Sequence, residues 1–177
     1  MRILEAGRSA LVLIDLQQRL VPALEGGDAM VANAGRLLRA AAIFEIPAIV
    51  TEQNPRALGS TVPGLPVAGL PCVAKMTMDA CRAAGFAEAL PSREQLLLAG
   101  CEAHVCVLQT ALALLESGRR VYVVADAVAS RTASNHDAAL RRLELHGVEI
   151  VTTEMVVFEW LGGADHPRFR EVVALVK

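Results

Sequence analysis

Three unbroken apolar runs constrain this chain more than any other feature: residues 10–14 (ALVLI), 95–99 (QLLLA, after its leading Gln) and 121–125 (VYVVA). A strand with one face in water alternates apolar and polar residues, whereas a strand covered on both faces reads as a continuous Val/Ile/Leu run. Shorter runs at 48–51 (AIVT, behind Pro47), 72–74 and 149–151 bring the expected strands to six. The segments between them have helical spacing. Met30, Ala34, Leu37, Leu38 and Ala41 fall at intervals of three and four behind Asp28, which is expected to cap that helix, with Pro47 closing it. Residues 79–90 are expected to be helical. Val105, Leu108, Leu112 and Leu115 form the expected buried stripe of a helix stopped by Gly118, and residues 134–146 form another helix. Strand and helix in alternation predict an α/β fold of three layers, αβα: a mostly parallel six-stranded sheet of Rossmann type, covered on both faces.

Residues 1–177 are about the length of one domain and are read as one. Apolar residues make up 54% of the chain but aromatics only 3%, so its core has to be built from Leu, Val, Ile and Ala. A formal charge of -2 gives no electrostatic hold on nucleic acid or on an anionic membrane surface, and neither is expected as a partner. The N-terminal apolar run is cut by Asp15 and is too short for a signal peptide. The uncharged stretch 57–74 carries Pro63, Pro66 and Pro71, so it makes no continuous membrane helix. The expectation is a cytoplasmic protein. Cys72, Cys81, Cys101 and Cys106 show no CxxC spacing, and the histidines at 104, 136, 146 and 166 are scattered, so no metal or other cofactor is expected.

In a parallel sheet of this kind ligands bind beyond the carboxyl ends of the strands. Asp15, Lys75, the loop 100–106 and Asp126 fall there. Cys106 is expected at the first turn of a helix, where unpaired backbone N–H groups and the helix dipole lower a thiol's pKa. Position alone leaves two readings open, a reactive thiolate or a small buried hydrophobe. His104 is no partner for it, because residues two apart on a helix point to nearly opposite sides. Asp15 and Lys75 each have an ordinary reading as well, a turn carboxylate and a surface lysine. Acid, lysine and thiol together at three adjacent strand ends are harder to ascribe to chance.

The segments ALVLIDLQ, AK and GCEAHVCVLQTALALLESGRRVYVVADAVASR resemble the isochorismatase-like cysteine hydrolases, a family that includes nicotinamidases and other amide hydrolases. TEQNPRALGSTVPGL and DHPRFREV resemble a small subgroup of isochorismatase-domain-containing proteins. The resemblance implies a catalytic triad of Asp15, Lys75 and Cys106. In it Asp15 takes the thiol proton, Lys75 holds Asp15 ionised, and Cys106 attacks a carbonyl to give a thioester that water hydrolyses. It further implies a cis peptide between Cys101 and Glu102, and an oxyanion hole made by the Glu102 and Cys106 N–H groups, with the Glu102 side chain incidental. Gln17, Asn54 and Thr77 are the candidate substrate contacts, Gln17 serving either the pocket or the turn. Thr51-Glu52-Gln53-Asn54 stands where metal-binding nicotinamidases carry Asp-x-His, so the resemblance carries over neither a metal nor nicotinamide. Isochorismatases proper lack the cysteine, so Cys106 argues against isochorismate. Asp126 and Arg131 are expected to shape the loop after the fifth strand, and Phe158, Trp160 and Leu161 to serve core or subunit interface. The resulting expectation is a homo-oligomeric hydrolase of a small-molecule amide or imide. The alternative is an idle or scaffolding member that only binds small molecules or partners.

Overall fold

A computed structural model describes residues 3–177. Strand β1 (Ser9–Ile14) leads through helix α1 (Gly27–Ile43) to β2 (Ala48–Gln53). A single turn α2 (Pro55–Leu58) and a long loop then reach β3 (Cys72–Lys75). The short α3 (Phe86–Ala89) precedes β4 (Gln95–Cys101). Helix α4 (Leu108–Glu116), β5 (Arg120–Ala129), α5 (Ala133–Leu145), β6 (Glu149–Val151), α6 (Thr153–Leu161) and α7 (Phe169–Val176) complete the chain. The sheet order is β3-β2-β1-β4-β5-β6, and all five pairings are parallel. Among the described residues no helix is long and apolar enough to cross a membrane.

Every residue of β1 and β4 is buried, as their unbroken apolar runs require. Successive side chains alternate between two cores. Leu11, Leu13 and Leu97 pack on one face with α1, α6 and α7, through Met30, Leu37, Trp160 and Val172. Val12, Ile14 and Leu98 pack on the other with α4 and α5, through Leu108, Ala111, Leu114 and Leu143. The helix after β1 therefore covers one face and the helix after β4 the other. The order of strand addition reverses between these two neighbouring parallel strands, which opens a crevice at their carboxyl ends.

Several local expectations are corrected. Asp28 lies inside the first turn of α1, and the cap is Gly26 at φ +72°, with no side-chain capping bond. Helix α1 ends at Ile43, before Pro47 is reached. Residues 79–90 are not one helix. Asp79 turns back to accept from the Cys81 N–H at 2.8 Å, which makes a tight turn, and Ala80 donates its N–H to Thr110 Oγ1 at 3.0 Å. Strand β5 runs four residues beyond the expected 121–125, through an irregularity in its pairing with β4 between Leu98 and Gly100. The buried face of α4 is Leu108, Ala111 and Leu114, with Leu112 and Leu115 only half-buried. A π turn at Ala103–Val107 precedes α4, and its wider winding sets the inward positions away from the expected stripe.

Candidate active site

Asp15 follows Ile14 at the end of β1, wholly buried, in a left-handed conformation at φ +54°. That turn takes its carboxylate out of the strand and over the edge of the sheet. Oδ1 accepts from Thr51 Oγ1 and Oδ2 from Lys75 Nζ, both at 2.7 Å. Lys75 is equally enclosed, and its ammonium donates to three oxygens: Asp15 Oδ2, Gln53 Oε1 at 2.7 Å and the Thr77 carbonyl at 3.2 Å. An ammonium has three hydrogens, so none is left over. A buried ion pair persists only when such extra bonds offset the loss of water around both charges.

β3 is not adjacent to β1. β2 lies between them, and Lys75 sits in register with Gln53. The acid–lysine contact is therefore made across β2, through two side chains that sequence reasoning passed over. Thr51 holds the carboxylate. Gln53 holds the ammonium with its oxygen, and its Nε2 donates to the Met76 carbonyl at 3.0 Å. The available signal was the spacing of Thr51 and Gln53 in the polar end of β2, alternate positions that share one face while Glu52 between them takes the other.

Cys106 sits on the π turn rather than on the first turn of α4, on the far side of the crevice from β2. Burial first, and then the Asp15 carboxylate, push its thiol up to about 12 against the opposite pull of Lys75. The expected lowering by a helix start is thus overridden by loss of water. The Cys106 Sγ also lies 3.8 Å from Met78 Sδ.

The strand-to-turn connection is held at two points. Gly100 has φ +134°, and a side-chain carbon there would fall on the Ile14 carbonyl of β1, so only glycine lets the two strands close beside Asp15. Glu102 is left-handed at φ +57°, and its carbonyl accepts from Val105 N at 2.9 Å and Val107 N at 3.4 Å. No peptide bond among the described residues is cis, so the Cys101–Glu102 bond departs from what the resemblance implied. The Glu102 side chain is not incidental either. It is buried and accepts from Arg131 Nε at 2.7 Å and Nη2 at 3.3 Å. His104 turns away from Cys106 to Ser130 Oγ at 3.0 Å.

Of the candidate substrate contacts, Gln17 is occupied by main chain. Its amide donates to the carbonyls of Gln53 and Gly59 and accepts from Gln53 N, which fastens the loop after β2. Thr77 Oγ1 donates to the Asp79 carbonyl at 2.8 Å. Asn54 is half-buried and left-handed at φ +37°, at the head of α2. Asp126 accepts from the N–H and hydroxyl of Thr153 at the start of α6, and Trp160 is buried with its indole donating to Ser9 Oγ at 3.0 Å. Among the described residues no group of three or more His, Cys, Asp and Glu is arranged to hold a metal ion. A cleft of about 240 Å³ beside α5, lined by Glu25, Ser130 and His136 among others, includes none of Asp15, Lys75 and Cys106.

The isochorismatase domain family matches residues 9–155. Isochorismatase domain-containing protein 2 of Danio rerio is 39% identical over 95% of this chain and 86% of its own length. The Homo sapiens protein of the same name is 38% identical over 97% and 84%. A structure described as the MAR1 ribonuclease of Caenorhabditis elegans superposes with a TM-score of 0.93 at 37% identity, covering 98% of this chain and 92% of that one. YcaC of Pseudomonas aeruginosa, solved with hexane-2,5-diol and covalent acrylamide, gives 0.91 at 26% identity, covering 98% and 91%. The Escherichia coli YcaC product, described as an octameric hydrolase of unknown specificity, gives 0.88 at 26% identity over 98% and 87%. By the domain match and by relatives alike over nearly the whole chain, this protein belongs to the isochorismatase-like hydrolase family.

Proposed function

We propose that the protein is a cysteine hydrolase that cleaves a C–N bond of a small-molecule amide or imide, with Cys106 as nucleophile and no cofactor. The observation that carries this reading is the environment of the thiol. A buried thiol shares the crevice with one wholly buried carboxylate that favours its protonated form, and that carboxylate is bound to one lysine whose hydrogens are all committed. As Sγ bonds to the substrate carbon, its proton passes to Asp15 and the carbonyl electron pair moves onto oxygen. The N–H groups of Glu102 and Cys106 are the candidates to receive that oxygen. Collapse breaks the C–N bond, the amine leaves with the proton from Asp15, and a thioester remains. Water then attacks the thioester, giving one proton to Asp15, and the departing sulfur takes that proton back. The sum is amide plus water to acid plus amine.

Lys75 makes this cycle possible by keeping a positive charge against Asp15 while the carboxylate gains and loses its proton. Positioned proton transfer of this kind contributes about 10²- to 10⁴-fold. The covalent acrylamide in the P. aeruginosa neighbour supports a nucleophile on this fold, since an electrophile is retained only by bonding to one. The C. elegans neighbour is described as a ribonuclease. A net charge of -2 and an enclosed thiol favour a small neutral substrate over a polyanion. Asn54 and the segment around Thr77 are the candidate walls of the pocket. Assembly of identical subunits belongs to the same reading, supported by the octameric E. coli neighbour, and so does residence in the cytoplasm.

A screen for ammonia release over small primary amides tests the reading, with Cys106→Ala alongside. The substitution is expected to remove turnover and any acyl-enzyme mass adduct together. Turnover that survives it sinks the thioester mechanism.

A further inference from the structure

We propose that Met78 is the side chain that decides which acyl groups reach Cys106, acting as an apolar wall that admits small acyl groups and turns away bulky ones. The inference deepens the cysteine-hydrolase reading and rests on it for the term acyl. Its physical basis is one of access. Cys106 is 3% exposed and Met78 43% exposed, and their sulfurs are 3.8 Å apart. The thioether sulfur therefore lies on the nucleophile while part of the residue that carries it is open to solvent.

The backbone beneath Met78 is fixed. The Met76 carbonyl accepts from Gln53 Nε2 at 3.0 Å and the Thr77 carbonyl from Lys75 Nζ at 3.2 Å. On the far side Asp79 is tied by Thr77 Oγ1 and by Cys81 N, each at 2.8 Å, and Ala80 is tied to Thr110. Withdrawing this segment would strip partners from Lys75 and Gln53, both buried. The cheaper motion is in the Met78 side chain alone, which is unbranched with three rotatable bonds and changes rotamer readily at a partly exposed site. Access to the thiol is thus set by a flexible apolar side chain on a rigid support. The charged groups acting on the thiol, Asp15 and Lys75, are satisfied by each other and by neighbouring oxygens. They offer nothing to a charged acyl group, which would lose water against the thioether without compensation. The substrate class that fits is an amide with a short, uncharged acyl part.

The test measures alkylation of Cys106 in the full chain at mildly alkaline pH, by peptide mass spectrometry, with iodoacetamide as the small probe and N-ethylmaleimide as the bulky one. Cys101, wholly buried, reports unfolding in the same digest. Met78→Ala is expected to speed the maleimide reaction by about tenfold and the iodoacetamide reaction by less, with Cys101 still protected. Met78→Phe is expected to slow the maleimide reaction more than the iodoacetamide one. Should Met78→Ala expose Cys101, Met78→Phe decides the matter. The proposal is overturned if no folded variant moves the ratio of the two rates by more than about twofold. These rates need no turnover. Hydrolysis that persists in Cys106→Ala would therefore sink the thioester and leave the role of Met78 to be judged separately.

Discussion

At the scale of single residues the Cys106 thiol links chemistry to stability. Burial, then Asp15, raises it from 9.0 to about 12. Below about pH 9 the folded and unfolded chains both hold the proton and nothing changes. Between about pH 9 and 12 the unfolded chain releases a proton that the folded chain keeps, so stability falls as pH rises, by up to about 1.4 kcal/mol per pH unit for one such group. Burial raises Cys81 and Cys101 as well, and they add to the same fall. Replacing Cys106 with Ala is therefore expected to make the decline shallower, as read from urea unfolding between about pH 9 and 11. An unchanged slope would mean that the thiol is not held protonated. The positions of Asp15, Lys75 and Cys106 were legible in the sequence because each lies at the end of a strand or in the connection that follows one, and strand ends are where such sheets gather chemistry. Thr51 and Gln53 were not, because their importance depends on β2 lying between β1 and β3. Strand order is a property of the whole chain, and local pattern does not report it. The direction of the Cys106 shift is also opposite to that expected from position: dipole and unpaired N–H groups can be read from position, whereas depth of burial cannot.

At the scale of elements the decisive piece is the π turn between β4 and α4. The sequence marks the connection through Gly100 and a run of apolar residues, yet an extra residue in one turn leaves no periodic trace. The expected stripe through Leu112 and Leu115 missed for that reason. The turn is fastened from outside by the pair between Glu102, buried, and Arg131, which is largely exposed in the loop after β5. The exposed guanidinium is well screened, so the pair itself contributes little. Removing Arg131 has a larger effect, because it leaves a buried carboxylate without its donors. Arg131→Ala is expected to cost about 1 to 2 kcal/mol in urea unfolding, and Arg131→Ala combined with Glu102→Gln to recover part of it. A loss in the double variant equal to or larger than that in Arg131→Ala would show that the unpaired carboxylate is not the cause. The shape of the turn should follow the same order, seen as the backbone amide shifts of residues 103–107.

At the scale of the whole molecule the sheet divides the interior into two cores, and this division was the most readable feature of all. Leu97 and Leu98 are neighbours on β4, both wholly buried, yet Leu97 belongs to the core beneath α1 and α6 and Leu98 to the core beneath α4 and α5. A strand half in water would place only one of such a pair in a core. Truncation at either position removes buried methyl groups and leaves a cavity that close-packed neighbours fill only in part. Leu97→Ala and Leu98→Ala are thus each expected to cost about 2 to 5 kcal/mol in urea unfolding. A large loss at one position and a small one at the other would contradict a sheet covered on both faces. The consequences for the site should differ even so. Leu98 shares its core with Cys106 and Val107, so a cavity there relaxes toward the π turn, whereas Leu97 shares its core with Met30 and Leu37 of α1. Leu98→Ala is therefore expected to change the alkylation rate of Cys106 more than Leu97→Ala at matched stability, because the two faces of one strand support different parts of the molecule.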